Sequence, residues 1–214
     1  DVIRKKDFNL SALLIFSKNK NKVVSLGNEI TSGLNTDYLT GMKYEFWGTS
    51  LSNFRQNPNI LAIGQPVNVF YGYKVDGIIQ SEEEGLAAGL TGAMAKAGEF
   101  KYLDLSGDGA ISDKDRTIIG DPNPDFTASL SLNAEYKNFD LQVFFNGVFG
   151  NDILYQNMWG GQPNTMPLRW TQDNPTNNYP SLRQDRTYYL SDWYVKDGSF
   201  VRVQNVTFGY NYRA

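Results

Sequence analysis

The residues whose types and spacing could support chemistry lie in one Asp/Gly-rich run, from Asp104 to Asp115. Oxygen-bearing side chains occupy its first, third and fifth positions, a glycine its sixth and a carboxylate its twelfth. This spacing matches the calcium-loop template, in which alternate residues of a tight loop converge on one hard cation. The run therefore predicts a structural calcium site with Asp104, Ser106, Asp108, Ala110 (through its carbonyl), Ser112 and Asp115 as ligands.

Two residues depart from that template. Ser106 is a poor calcium ligand, and Asp115 is shorter than the glutamate that usually closes such a loop. The alternative is a surface turn that holds itself together through Asx hydrogen bonds. Either interpretation gives the run a structural role and not a catalytic one.

Aromatic side chains between positions 150 and 198 form a second set of candidates, with Asn and Gln scattered among them. Ring faces combined with amide side chains suit stacking on sugars or peptides. The candidates for substrate contact are Tyr155, Trp159, Trp170 and Trp193. The alternative for each ring is that it packs this part of the chain and binds nothing.

The composition excludes several classes of function. There is no histidine and no cysteine, so triads that use either residue, histidine–zinc sites and disulfides are not available. A net charge of -3 offers no broad basic surface for nucleic acid. No apolar run approaches the roughly 18 residues of a membrane-spanning helix. We therefore expect neither an enzyme nor a nucleic-acid-binding protein.

The strongest structural signal is a hairpin in which two strands, Phe126 to Tyr136 and Phe139 to Phe149, each alternate between apolar and polar residues. The phase inverts across Lys137–Asn138, as expected for a two-residue turn with Asn138 at positive φ. Tyr136 then faces Phe139, and both apolar sets lie on one face of the hairpin.

Aromatic residues mark both ends of that apolar face, while small and aliphatic residues occupy most of its middle. Ten steps of about 3.3 Å, tilted by about 40°, span roughly 25 Å, which is the height of the lipid-facing band of an outer-membrane barrel. The opposite, polar face would line a wet lumen. In a soluble sandwich the polar face would instead meet bulk water.

Alternation predicts three further strands, at Phe8–Phe16, Val67–Val75 and Val201–Tyr212, the last with a bulge near Gln204–Asn205. The fold class is therefore all-β, as part of an antiparallel transmembrane barrel.

Segments 77–125 and 150–198 are interpreted as long extracellular loops, since the Lys137–Asn138 turn is the short, periplasmic one. Ser81 followed by three glutamates and a four-residue leucine spacing predicts one short loop helix over 82–97.

Several runs resemble signatures of the SusC/RagA family of TonB-dependent outer-membrane transporters, in the family's order. They are Gly64–Val67, Phe70–Ile78, Lys101–Gly109, Asp115–Phe126, Phe139–Leu141, Phe144–Asp152, Asp197–Val203 and Gly209–Tyr210. The resemblance implies a barrel of 22 strands around an N-terminal plug. The chain, residues 1–214, would be the C-terminal portion of that barrel, without the plug domain.

The same resemblance implies a function and partners. The protein would lie in the outer membrane of a Gram-negative bacterium and import oligosaccharides or peptides together with a SusD-like surface lipoprotein. TonB would supply energy through the missing plug. Two alternatives remain: a soluble, cation-stabilised carbohydrate-binding β-domain, and a glycoside hydrolase, for which no pair of carboxylates stands out.

Overall fold

A computed structural model describes residues 2–27, 33–51, 54, 56–155, 166–182 and 189–212. The strands, in chain order, are β1 (Ile3–Arg4), β2 (Phe8–Ser17), β3 (Asn35–Thr36), β4 (Lys43–Trp47), β5 (Asn59–Ala62), β6 (Val69–Gly72), β7 (Val75–Ile78), β8 (Phe100–Tyr102), β9 (Thr117–Gly120), β10 (Phe126–Tyr136), β11 (Phe139–Phe149), β12 (Asp152–Leu154), β13 (Val195–Asp197) and β14 (Phe200–Tyr210). The described part of the chain has one α-helix, α1 (Glu82–Ala87), and short 3₁₀ turns. Within it, no helix is long and apolar enough to cross a membrane.

The chain forms two compact units. Unit 1 comprises residues 1–20, 123–152 and 197–214, and unit 2 comprises residues 21–122 and 153–196. Unit 1 is a single antiparallel sheet with the strand order β1-β2-β10-β11-β14. Unit 2 contains a sheet with the order β3-β4-β5-β6-β9 and the pair β7-β8, and strands β12 and β13 pair with each other.

The β10–β11 hairpin of unit 1 has the predicted register, with Tyr136 opposite Phe139 and Phe126 opposite Phe149. The turn differs from the prediction in one respect. The positive φ lies at Lys137, with a value of 55°, and not at Asn138. The Lys137 side chain remains exposed, with its ammonium 5.3 Å from the centre of the Tyr136 ring. Solvation and this contact accompany a lysine in a conformation that usually favours Asn or Gly.

The predicted outer strands of unit 1 are confirmed. β2 pairs with β10 along ten residues, from Ser17 opposite Thr127 to Phe8 opposite Tyr136. β14 pairs with β11, and its register shifts so that Asn205 faces Phe144 while Val203 faces Phe145. Gln204 is thus the extra residue of a β-bulge, at the position where the apolar phase changes in the sequence.

The predicted strand at Val67–Val75 is confirmed only in part, and it does not belong to the sheet of unit 1. Its residues divide between β6 and β7, which belong to different sheets of unit 2, and all four residues of β6 are buried. The even positions explain the error, because Phe70 and Gly72 are not polar and so do not mark a wet face. Gly72 is needed there for close packing, since a Cβ would lie 2.3 Å from the carbonyl oxygen of Leu190.

Unit 2 is built around a core that draws on both of its chain segments. One cluster includes Tyr73, Ile78, Ile79, Leu190 and Tyr194, all nearly inaccessible to solvent. A second cluster lies in the five-stranded sheet and consists of Tyr44, Ile60, Ala62, Val69 and Tyr71. The regions interpreted as loops 77–125 and 150–198 thus contribute regular elements and buried side chains. Their extracellular location stays a prediction.

The predicted helix at 82–97 is confirmed in its first half only. The Ser81 hydroxyl accepts a hydrogen bond from the amide of Glu84 at 3.3 Å and caps α1. The helix stops after Ala87 because Gly89 has a φ of 77°, a left-handed conformation that ends helices. A separate 3₁₀ turn, Gly92–Ala95, follows.

Candidate membrane interface and loop sites

Unit 1 presents one continuous apolar surface. Residues that face each other across antiparallel strands point to the same side of the sheet, so the registers of β2, β10, β11 and β14 define its two faces. We call one of them the apolar face. Its residues are Phe8, Leu10, Ala12, Leu14, Phe16, Phe126, Ala128, Leu130, Leu132, Ala134, Tyr136, Phe139, Leu141, Val143, Phe145, Gly147, Phe149, Val201, Val203, Val206, Phe208 and Tyr210.

This face is not covered by a protein core. Leu14 is 69% exposed and Phe208 is 67% exposed. Leu132 and Val143, near the centre, are only half-buried. Among the described residues, every buried hydrophobic side chain belongs to unit 2. An uncovered apolar surface of this extent marks an interface with another protein or with lipid.

Aromatic rings concentrate at the two ends of the apolar face. At one end, Phe126 stacks between Phe16 and Phe149, with ring centres 5.2 and 4.7 Å away. At the other end, the ring of Phe139 lies 5.7 Å from Phe208 and 4.9 Å from Tyr210. Aliphatic and small residues fill most of the middle, where Phe145 is the exception. Aromatic girdles on either side of an aliphatic band are typical of outer-membrane barrels.

The opposite face of the sheet is mainly polar. Ser129 and Asn146 face each other there, with the Asn146 amide donating to the Ser129 hydroxyl at 3.4 Å. Glu135, Asp140 and Arg202 also lie on this face, whereas the apolar face carries no charged residue. Apolar residues interrupt the polar pattern on three strands. They are Leu13 and Ile15 of β2, which are exposed, Phe144 and Val148 of β11, and Phe200 of β14.

The predicted calcium loop is held by its own backbone. The Asp104 carboxylate accepts hydrogen bonds from the amides of Gly107, at 2.7 Å, and Gly109, at 2.8 Å. Asp115 is fully buried and accepts from the amides of Ser106, at 2.9 Å, and Ser112, at 2.8 Å. The loop is thereby closed by hydrogen bonds at both ends.

A basic side chain of the loop itself also pairs with one of the carboxylates of this loop. The Lys114 ammonium lies 2.8 Å from Asp108, and this contact lowers the pKa of the Asp108 carboxyl. The hydrogen bond from Gly109 likewise lowers the pKa of Asp104. Both groups are therefore ionised at neutral pH.

These bonds resemble the Asx-turn alternative more than a preformed cation cage. Within the described part of the chain, no three acidic side chains converge as metal ligands. A cation would have to displace Lys114 from Asp108. Calcium ligation by Asp104, Ser106, Asp108, Ala110, Ser112 and Asp115 stays a prediction.

A 3₁₀ turn, Asp113–Asp115, closes the same loop, and the sequence interpretation missed it. Ser112 and Asp115 form a reciprocal capping box around this turn. The signal was present, because a serine followed three residues later by an acid is the sequence pattern of such a box.

The predicted substrate-binding aromatics lie in different settings. The indole N–H of Trp170 donates to the Gln80 side chain at 2.8 Å, and that of Trp193 donates to the Asn178 carbonyl at 2.8 Å. Both rings pack against the larger core cluster. Tyr155 is 45% exposed. Trp159 lies outside the described residues.

Packing therefore accounts for Trp170 and Trp193, while a ligand role for any of the four aromatics stays a prediction.

A cleft in unit 2, of about 510 Å³, was not anticipated. One wall is the turn from Asn35 to Gly41, the other is Asp113–Arg116, and the floor includes Tyr44 and Phe46. The two walls are more than seventy residues apart in the sequence. No local spacing could therefore have revealed the cleft.

Hydrogen bonds to a buried carboxylate hold the first wall. Asp37 is 3% exposed and accepts from the amide of Thr40 at 2.8 Å and from the Tyr71 hydroxyl at 2.6 Å. Burial, followed by this bond to Asp37, raises the pKa of Tyr71. The phenol therefore stays protonated and remains a donor to the carboxylate.

The second wall is anchored through Arg116. Its guanidinium lies 2.7 Å from the Asp113 carboxylate, and its Nε donates to the Tyr73 hydroxyl at 3.3 Å. Burial raises the pKa of Tyr73 to about 12 although the charge of Arg116 opposes the shift. Tyr73 belongs to the larger core cluster, so this wall is tied to the core of unit 2.

Comparisons with known proteins agree with the resemblance noted from the sequence. No family model matches the chain. It is similar to TonB-dependent receptor P3 of Formosa agariphila, with 36% identity over 222 residues that cover 98% of this chain and 20% of that protein. Receptor P26 of the same organism is 33% identical over 98% of the chain and 21% of its own length. TonB-dependent receptor SusC of Bacteroides thetaiotaomicron is 25% identical over 97% of this chain and 19% of its own length.

Solved structures give the same result for the fold. The RagAB peptide transporter matches with a TM-score of 0.65 and 20% identity, over 95% of this chain and 20% of that one. The RagAB peptide importer in its open-open state matches with a TM-score of 0.61 and 23% identity, over 97% of this chain and 20% of that one. The chain spans about a fifth of the length of the curated relatives that it matches. It belongs, as a segment, to the family of TonB-dependent receptors that includes SusC.

Proposed function

We propose that this chain is a segment of a TonB-dependent transporter in the outer membrane of a Gram-negative bacterium. Strands β2, β10, β11 and β14 would form part of the wall of an antiparallel barrel, for which the family resemblance implies 22 strands. The observation that carries the proposal is the exposed apolar face with aromatic rings at both of its ends. Hydrocarbon is the environment that suits such a face.

Strand length and edges support this proposal. β10, β11 and β14 each have 11 residues, which is the length that a tilted strand needs to cross a bilayer. The sheet order begins at β1 and ends at β14, so the described sheet is open. Because unpaired backbone groups are costly in lipid, further strands of a longer protein would have to close the barrel.

The transported substrate and the partners belong to the same proposal. The relatives carry the names TonB-dependent receptor and SusC, and the similar structures are named as a peptide transporter and importer. We infer import of oligosaccharides or peptides with a SusD-like surface lipoprotein, driven by TonB through a plug domain. Transport and not catalysis is the proposed activity, since none of these names describes an enzyme.

A soluble carbohydrate-binding β-domain is the less favoured alternative. It would require the apolar face to pack inside a protein, yet Leu14 and Phe208 are largely exposed. Detergent dependence distinguishes the two. The transporter proposal expects aggregation in plain buffer, whereas a soluble domain would be monodisperse there.

A matched pair of substitutions in the complete receptor tests the proposal. Val143, on the apolar face near the middle of β11, is replaced by arginine, and its neighbour Gln142, on the polar face, is replaced in the same way. Val143→Arg should destabilise the barrel by about 2–4 kcal/mol, because a cation then faces the centre of the bilayer. Gln142→Arg should have little effect, because water reaches that side.

The measurement is the amount of receptor assembled in the outer membrane, determined by cell fractionation. Strong loss for Val143→Arg alone supports the proposal. Normal assembly of Val143→Arg, or equal loss for both variants, would show that the apolar face does not meet lipid.

A further inference from the structure

Buried carboxylates hold both walls of the cleft between Asn35–Gly41 and Asp113–Arg116 in place. The first is fixed by Asp37, which accepts hydrogen bonds from Thr40 and Tyr71. The second follows directly from the Asp/Gly loop, whose closing carboxylate, Asp115, is fully buried. Walls held by such bonds lose less conformational entropy when a ligand binds than free loops would.

The charged groups of the cleft already have partners within the protein. Asp113 pairs with Arg116 at 2.7 Å, and Lys114 pairs with Asp108 at 2.8 Å. Asp37 is 3% exposed and bonded on both of its oxygens. The lining therefore holds two acids and two bases with no net charge. Because each of these charges already has a partner of opposite sign or a hydrogen bond, the cleft favours a neutral ligand.

Aromatic surface accompanies these polar groups. Tyr38 is 59% exposed at the rim, and the Lys114 ammonium lies 5.3 Å from its ring centre. Phe46 lies on the floor, and the buried ring of Tyr44 packs edge to face against it with ring centres 5.6 Å apart. Asn35 and Thr36 add an amide and a hydroxyl to the lining. Flat apolar rings beside several hydrogen-bonding groups match a sugar ring, which has apolar C–H patches and many hydroxyls.

The same geometry is less suited to a peptide. One recurring way for extended peptides to bind is to add a strand to the edge of a sheet, where backbone hydrogen bonds give affinity. The edge strands next to this cleft are short, since β3 has 2 residues and β9, which follows Arg116, has 4. So short an edge offers few backbone groups to an added strand.

We propose that this cleft binds a neutral sugar ring of an oligosaccharide that the receptor imports. This inference rests on the proposed transport function and names the substrate class for that function. A volume of about 510 Å³ lies within the usual range of small-molecule sites, roughly 300–1,000 Å³. The Asp/Gly loop then acquires a positioning role, because it holds Asp113, Lys114 and Arg116 in place as one wall.

The test uses the complete receptor in detergent and two arrays, one of neutral oligosaccharides and one of uncharged, end-blocked hexapeptides. Titration calorimetry then gives the affinity of the strongest binder for three proteins: the unchanged receptor, Tyr38→Ala and Trp47→Ala. Trp47 is the matched control, because it is an exposed aromatic residue on the other side of β4 from Tyr44 and Phe46.

We expect binding to at least one neutral oligosaccharide, weakened about tenfold or more by Tyr38→Ala, as for loss of an aromatic anchor. Trp47→Ala should change the affinity by less than about twofold. Any of three results overturns the inference. The receptor binds no oligosaccharide of the array, Tyr38→Ala binds the oligosaccharide as tightly as the unchanged receptor does, or Tyr38→Ala removes the binding of a peptide instead.

Outer-membrane assembly of the same proteins separates the two proposals. If the receptor assembles normally but the sugar result fails, only the cleft inference is wrong. If the receptor does not reach the outer membrane at all, the transport function itself is wrong.

Discussion

Strands β10 and β6 both carry apolar side chains at every second position but lie in opposite environments. Along β10, apolar and polar residues alternate, and no side chain is fully buried. Along β6, all four residues are buried. In unit 1 the apolar side chains thus face outward, away from any protein core in the described chain, while in unit 2 they face one another. A hydrophobic pattern in the sequence shows which side chains avoid water, but it does not show whether other protein side chains cover them.

The polar side chains of the two units differ in the same way. In unit 2, the buried phenols of Tyr71 and Tyr73 bond to Asp37 and Asp113. Those bonds are needed because a buried polar group without a partner is costly. In unit 1, polar residues such as Ser131 and Asn133 occupy most of the face of the sheet opposite the apolar face. Unit 2 is therefore organised around a buried core, whereas unit 1 is a sheet with two faces of different polarity.

Truncating one aliphatic side chain in each unit tests this contrast most strongly. Ile60 of unit 2 is 0% exposed, and Leu14 of unit 1 is 69% exposed. In the detergent-solubilised receptor, Ile60→Ala should lower the free energy of unfolding by about 2–5 kcal/mol, because it leaves a cavity. Leu14→Ala should change it by less than about 0.5 kcal/mol. Chemical unfolding curves measure both, and equal losses would contradict the comparison.

The buried carboxylate of the Asp/Gly loop gives the next largest effect. Asp115→Ala removes the acceptor for the amides of Ser106 and Ser112, which we expect to destabilise unit 2 by about 1–3 kcal/mol. Asp76→Ala is the control, since Asp76 is exposed, and should cost less than about 0.5 kcal/mol. Thermal unfolding followed by tyrosine and tryptophan fluorescence distinguishes them. A melting temperature that is unchanged in Asp115→Ala would mean that the loop does not support this unit.

Calcium tests whether the same loop also binds a cation. If it does, calcium at ten times its Kd should stabilise the receptor by about 1.4 kcal/mol relative to a chelator. Asp108→Asn should abolish this gain, because Asp108 is a predicted ligand that now pairs with Lys114. The readout is the melting temperature with calcium and with chelator. Identical values for the unchanged receptor would leave the Asx turn as the whole explanation of the motif.

The hairpin turn of unit 1 provides the smallest effect. Lys137 has a φ of 55°, which strains a residue with a side chain, so Lys137→Gly should stabilise the hairpin by about 0.5 kcal/mol. Asn138→Gly should give no gain, because the positive φ in this turn lies at Lys137 and not at Asn138. Unfolding curves of both variants provide the comparison. Stabilisation by Asn138→Gly alone would indicate a different turn.

Much of unit 1 was predictable from local patterns. The inversion of phase across Lys137–Asn138 determines which residues of β10 and β11 face each other, because side chains alternate strictly along a strand. The phase change near Gln204 likewise predicted the bulge in β14. The pairing of β2 with β10 did not follow in this way, because the two strands are distant in sequence. The turn residue with positive φ was not predictable from local patterns, because residue preference favours Asn138 whereas the structure has the positive φ at Lys137.

Unit 2 shows what depended on tertiary structure. The amino-acid sequence by itself determined the strand periodicity, the turn positions, the capping residues and the family resemblance, because each is a short-range property of neighbouring residues. Only the fold decided that Val69–Gly72 is buried on both sides, and that Asn35–Gly41 lies across a cleft from Asp113–Arg116. Such placements arise from contacts between distant segments. These placements depend on which surfaces pack together, and the spacing of residues along the chain does not determine this packing.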